Sequence, residues 1–138
     1  MTTPDASRTG AARRPAIAAA LWLIFGLLAS LGGLVSVAGI RNGGGSTTDA
    51  IILAAWFTFV TVASFYLAVR LLRRPTRNAL LASAWWGGFW LVFGVVTSVF
   101  GGVIPIVLAA MGGAAMVLSI LEVREQVRQS RLPRPPRS

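Results

Sequence analysis

An all-α integral membrane fold, a bundle of four transmembrane helices with both termini in the cytoplasm, is what this sequence predicts. Three observations predict it. The 138-residue chain holds three long runs without a charged residue, Pro15–Ile40, Ala50–Val69 and Asn78–Leu121. The third run is 44 residues long, which at 1.5 Å per residue is about 66 Å of helix, twice the roughly 30 Å hydrocarbon thickness, so it folds back once. Of the 13 basic residues, all arginine, 12 fall in segments that an even number of crossings places on one side, the side on which Lys and Arg are retained during insertion.

The first helix is expected over about Ala16–Ile40, preceded by a disordered basic tail, residues 1–15, with Arg8, Arg13 and Arg14. A cleaved signal peptide is the rival reading, since Ser36-Val37-Ala38 resembles a small-residue cleavage site. The apolar stretch is too long for the usual 7–15-residue core of such a peptide, and a membrane helix is favoured. The loop Arg41–Asp49 contains Gly43-Gly44-Gly45 and reads as a flexible linker. It lacks the Lys and Ser/Thr that would complete a phosphate cradle. Asp49, Thr47 or Thr48 is expected to cap the second helix, about Ala50–Leu72.

The third helix, about Ala79–Val99, ends at Phe100-Gly101-Gly102, and Pro105 suits the first turn of the fourth, about Val103–Leu121. Glu122–Arg128 continues this helix beyond the membrane, with Glu125 and Arg128 at a weakly stabilising spacing. Residues 122–138 form a basic cytoplasmic tail whose end, from Arg131, is proline-rich and extended. Trp22, Trp56 and the pair Trp85-Trp86 each lie a few residues inside a helix start and are expected to form an interfacial belt; Trp90 sits deeper and is expected to pack inside.

Two sequence patterns bear on packing. Trp22–Leu31 matches Trp90–Val99 at Trp, Leu, Phe, Gly and Ser, which suggests two parallel helix-hairpin repeats about an axis along the membrane normal. Chance similarity between apolar helices is the alternative. Small residues recur at helical spacing: Gly26, Ser30 and Gly33 on the first helix, Gly87, Gly94, Ser98 and Gly101 on the third, Gly112 and Gly113 on the fourth. Such residues let membrane helices approach closely. In a two-fold repeat, Gly26 and Gly94 would lie near the axis. The second helix is bulkier, with Trp56, Phe57, Phe59, Phe65 and Tyr66, and is expected to face lipid or a partner.

The chemistry is sparse. The chain has no cysteine, histidine or lysine, which excludes thiolate, imidazole and Schiff-base chemistry, and no cofactor or metal is expected. No ionisable side chain other than Tyr66 lies within the three charge-free runs, whereas proton-coupled carriers depend on embedded carboxylates or basic groups. The chain is similar to the small multidrug transporters in length and helix number only; their glutamate in the first helix has no counterpart here. The embedded hydroxyls (Ser30, Ser36, Thr58, Thr61, Ser64, Ser83, Thr97, Ser98, Ser119) lack a base to activate them, so an enzyme is not expected.

A net charge of +9 would suit nucleic acid, but its placement beside apolar spans points to anionic headgroups on the cytoplasmic side instead. Arg70, Arg73, Arg74, Arg77, Arg124, Arg128 and Arg131 are the expected lipid contacts; for the C-terminal arginines, topological anchoring alone is the simpler role. The lysine-free, Ala/Gly/Val/Arg-rich composition suggests a bacterial inner (plasma) membrane. Two functions survive: a structural or accessory subunit, bound to a membrane-protein partner or to copies of itself through small-residue packing, and a small transporter, flippase or pore lined by hydroxyls.

Overall fold

The computed structural model describes residues 6–99 and 103–131, the side chains of 6–12 excepted. Among the described residues there are four helices, joined by short turns: α1 (Ala6–Asn42), α2 (Thr47–Arg73), α3 (Arg77–Ser98) and α4 (Val103–Ser130). Each is long and apolar enough to cross a membrane. The expected spans therefore all appear, but two helices overrun them.

α1 begins at Ala6 instead of emerging from a disordered tail, and runs straight through Pro15. Ala6, Ala11 and Ala12 are strong helix formers, and they outweigh the single backbone hydrogen bond that proline removes. α4 continues to Ser130, beyond the uncharged run, as expected through Arg128. Gly101 and its neighbours Phe100 and Gly102, together with the proline-rich end, lie outside the described residues.

The glycine loop is an ordered turn. Gly44 takes φ +75°, and the Gly45 amide donates to the Ile40 carbonyl at 2.9 Å. This is the helix-ending arrangement in which a left-handed residue lets the next amide reach back to an orphan carbonyl. Ser46 then caps α2, its hydroxyl accepting from the Asp49 amide at 3.3 Å. The cap is thus Ser46, not the three candidates that follow it, because it alone takes the extended backbone of a capping position. Asp49 remains in the first turn, where its charge favours the helix dipole. Thr76 caps α3 in the same way through the Ala79 amide.

The helices pack as two hairpins, α1 on α2 and α3 on α4; α1 also lies along α4, and α2 meets α3 only lightly. The hairpins are held differently. In α3–α4 backbones meet directly: a Cβ built on Gly87 would stand 2.5 Å from the Gly112 carbonyl, and one on Gly94 2.5 Å from the Pro105 carbonyl and 2.7 Å from the Ala109 Cβ. In α1–α2 the glycines receive rings instead. Gly26 lies under Phe65 and Gly33 under Phe57, where an added Cβ would come within 3.2 and 2.7 Å. Two of the aromatic residues of α2 thus fill notches in α1 and are half-buried, while Trp56, Phe59 and Tyr66 stay exposed. Each of these glycines faces the other helix of its own hairpin.

The core joining the hairpins lies toward the arginine-rich end. Ala18, Trp22, Phe25, Val60, Ser64, Ala68, Leu80, Ser83, Ala115 and Ser119 are almost completely buried. Toward the other end exposure rises, with Leu34 at 70% and Val99 at 83%.

Candidate functional site

The buried polar groups converge in the centre of the bundle. Ser83 of α3 is completely buried and accepts two hydrogen bonds: the Trp22 indole N–H of α1 donates at 2.8 Å, and the Ser119 hydroxyl of α4 at 2.9 Å. One side chain thus ties three helices. α2 joins more weakly, because the Trp86 indole N–H reaches Ser64 Oγ at 3.5 Å while the Ser64 hydroxyl donates to the Val60 carbonyl at 2.8 Å. Around this cluster aromatic rings meet edge to face. Phe25 contacts Trp90 with centroids 4.8 Å apart, and Trp22 contacts Phe25 at 5.5 Å. Apolar contact and indole donation both place Trp22 in the core, with 1% exposure. It is therefore not part of an interfacial belt, whereas Trp85 is 82% exposed and Trp56 39%. Trp90 packs inside, and its indole N–H has no partner among the described residues.

One turn beyond Ser119, and one residue past the uncharged span, Glu122 is buried at 7% exposure, and its Oε2 has no partner among the described residues. Burial pushes its carboxyl above the ordinary value; Arg14 of α1 opposes the shift and Glu125 adds to it. Burying a carboxylate disfavours its charged form, since water no longer solvates it.

The small residues read from the sequence divide by role. Gly26, Gly33, Gly87, Gly94 and Gly112 lie at close helix contacts within the hairpins, and Gly113 sits under Leu91, 3.3 Å from the position of an added Cβ. Ser30 donates to the Gly26 carbonyl at 3.0 Å and lies 3.2 Å from Thr61 Oγ1, bridging α1 and α2. Ser98 bonds only its own helix, at the Val95 carbonyl. Gly101 lies outside the described residues.

Arg70, Arg73, Arg74, Arg77, Arg124, Arg128 and Arg131 are all exposed at one end of the bundle. The α2–α3 connection is tied to α4 there by Gln126, whose side-chain amide donates to the Pro75 carbonyl at 3.1 Å. Arg70 also donates to the Tyr66 hydroxyl at 3.0 Å. Among the described residues no three of His, Cys, Asp and Glu come together to hold a metal ion.

Sequence reasoning missed the Trp22–Ser83–Ser119 junction and the burial of Glu122, although a signal was present. Ala109, Gly112, Ala115, Ser119 and Glu122 follow one another three or four residues apart, so Glu122 extends the small-residue stripe that α4 turns inward. No protein-family model, curated protein or solved structure matches this chain.

Proposed function

We propose that the chain is a non-enzymatic integral membrane protein of the inner (plasma) membrane, acting as a structural or accessory subunit with its arginine-rich end in the cytoplasm. The observation that carries this reading is the filled centre. Trp22, Phe25, Trp90 and the serines interlock where a solute path would run, and the hydroxyls there serve one another or a carbonyl of their own helix. A pathway needs polar groups open to water in two alternating states, and these are committed to packing. The core serines also lack a neighbouring base to make them nucleophiles.

The glycines are spent inside the hairpins, so assembly with a partner or a second copy uses the exposed apolar faces instead. The two hairpins are read as copies of one ancestral unit, supported by the match of Trp22–Leu31 with Trp90–Val99, in which Gly26 and Gly94 coincide. The arginines at the opposite end from Arg41 hold anionic headgroups and fix the orientation.

Mild-detergent extraction of a tagged chain from native membranes tests the functional reading. A distinct membrane protein, or a second copy, is expected to co-purify in fixed ratio and to survive crosslinking before extraction. The opposing result is activity of the isolated chain: liposomes holding it alone that dissipate a potassium or proton gradient, with Thr97→Val altering the rate, would replace the subunit by a carrier or pore.

A further inference from the structure

We infer that the crevice between α1 and α2 at the Arg41 end holds one acyl chain of an anionic phospholipid, with the headgroup phosphate against Arg41. This rests on the chain spanning a membrane and is independent of the subunit reading.

The crevice follows from the same local sequence that packs the hairpin. Gly33 admits Phe57, but beyond this contact the facing residues Ala38 and Ala54 are too small to close the gap. A cavity of about 480 Å³ results, with Ser30, Thr61 and Val62 toward its inner end and Arg41 at its mouth. It continues past Val37, Arg41 and Ala54 into a second hollow of about 460 Å³ bordered by Gly45, Ser46 and Thr47. The inner end is chemically quiet, because Ser30 and Thr61 bond each other and Ser30 also donates to Gly26. What remains for a ligand is a mostly apolar slot with a cation at its entrance.

Dimensions select the occupant. Ser30 and Arg41 are eleven residues apart on one helix, about 16 Å, or one half of a hydrocarbon core about 30 Å thick. The slot is one leaflet deep. Spread over that depth, 480 Å³ gives a mean cross-section of about 30 Å², under half that of a helix about 10 Å across. A polymethylene chain fits; a helix of a partner or of a second copy does not. Charge selects the headgroup. Arg41 is exposed and is the single arginine at this end among the described residues. Asp49 borders neither hollow.

Photolabelling with the full chain in liposomes tests the assignment. The probes are phosphatidylglycerol and phosphatidylcholine, each with a diazirine at the end of one acyl chain, present in both leaflets, and adducts are mapped by peptide mass spectrometry. Adducts are expected to concentrate on residues 30–37 and 57–62, with phosphatidylglycerol exceeding phosphatidylcholine by about fivefold, the weight of one arginine at an anionic surface. Arg41→Gln removes that preference at these residues and leaves labelling near Arg73 and Arg128 unchanged. Ala54→Phe, which fills the slot, lowers adducts from both lipids with the helical circular dichroism intact. Glycerol phosphate added in excess leaves labelling in place, because the chain is part of the recognition. Equal labelling by the two lipids, insensitivity to Arg41→Gln or Ala54→Phe, full competition by glycerol phosphate, or adducts spread evenly over the exposed faces of all four helices would each overturn it.

Discussion

Ser83 carries more of the core than any other polar side chain, because two donors from two other helices end on its one oxygen. Removing the acceptor strands both donors, at about 1–3 kcal/mol for each buried group left unpaired. Trp22→Phe removes one donor and leaves Ser83 with Ser119, and a single hydrogen bond between membrane helices averages only about 0.6 kcal/mol. Ser83→Ala is therefore expected to destabilise the bundle more than Trp22→Phe, read as a shift in the midpoint of detergent-induced unfolding; the reverse order would displace Ser83 from the centre of the network. Glu122 gives a prediction with a sign. Burial raises its carboxyl above the unfolded value, against the pull of Arg14 and with the push of Glu125. The folded state thus holds the proton more tightly. Stability from this group is complete below the unfolded value and is lost as the pH rises through the folded one. Glu122→Gln is expected to abolish that decline and to leave the variant more stable than the parent near neutral pH. A parent whose stability instead climbs with pH up to the ordinary carboxylate range and then holds level would show that Arg14 outweighs burial.

Between elements, the two hairpins answer differently to the same substitution. Gly87 and Gly94 face backbone carbonyls of α4, which cannot move aside, whereas Gly26 faces the ring of Phe65, which can rotate. Gly94→Ala is expected to cost more than Gly26→Ala, within the range of about 1–3 kcal/mol typical of overpacking, and thermal unfolding in detergent compares them directly. Helix number and the glycine faces were legible because charge-free length and small-residue spacing are properties of the chain alone. Helix ends were less so. Hydropathy marks where lipid would begin, while Ala6–Arg14 and Glu122–Ser130 are helical for reasons of propensity and packing that hydropathy does not see. The same confusion misplaced Trp22. Counted from Ala16 it sits at an interface, but α4 and α3 close over it once α1 is known to start ten residues earlier. Which glycines meet which helix depends on long-range pairing, and local spacing carries no information about that.

At the scale of the whole molecule, charge and packing are polarised along the same axis. Arg70, Arg73, Arg74, Arg77, Arg124, Arg128 and Arg131 gather at the end where the hairpins interlock, and among the described residues Arg41 is the one arginine at the end where their side chains are more exposed. Under the proposed orientation the tight end faces inward, because arginine is retained on the cytoplasmic side and moving each of these side chains through lipid costs about 2.5–3.5 kcal/mol even on insertion scales. In that proposal four crossings place both termini on the same side as that end. The chain has no cysteine, so single cysteines report orientation without background. Ser46 and Thr76 are helix caps, and replacing either would weaken a helix start by about 1 kcal/mol. The exposed neighbours Thr48 and Asn78 sit at the two opposite ends without capping duty. In intact cells an impermeant maleimide is expected to modify Thr48→Cys and to reach Asn78→Cys only after the membrane is opened. The opposite pattern would invert the molecule. It would also place the Arg41 crevice in the cytoplasmic leaflet, so the same two variants decide which leaflet supplies its lipid.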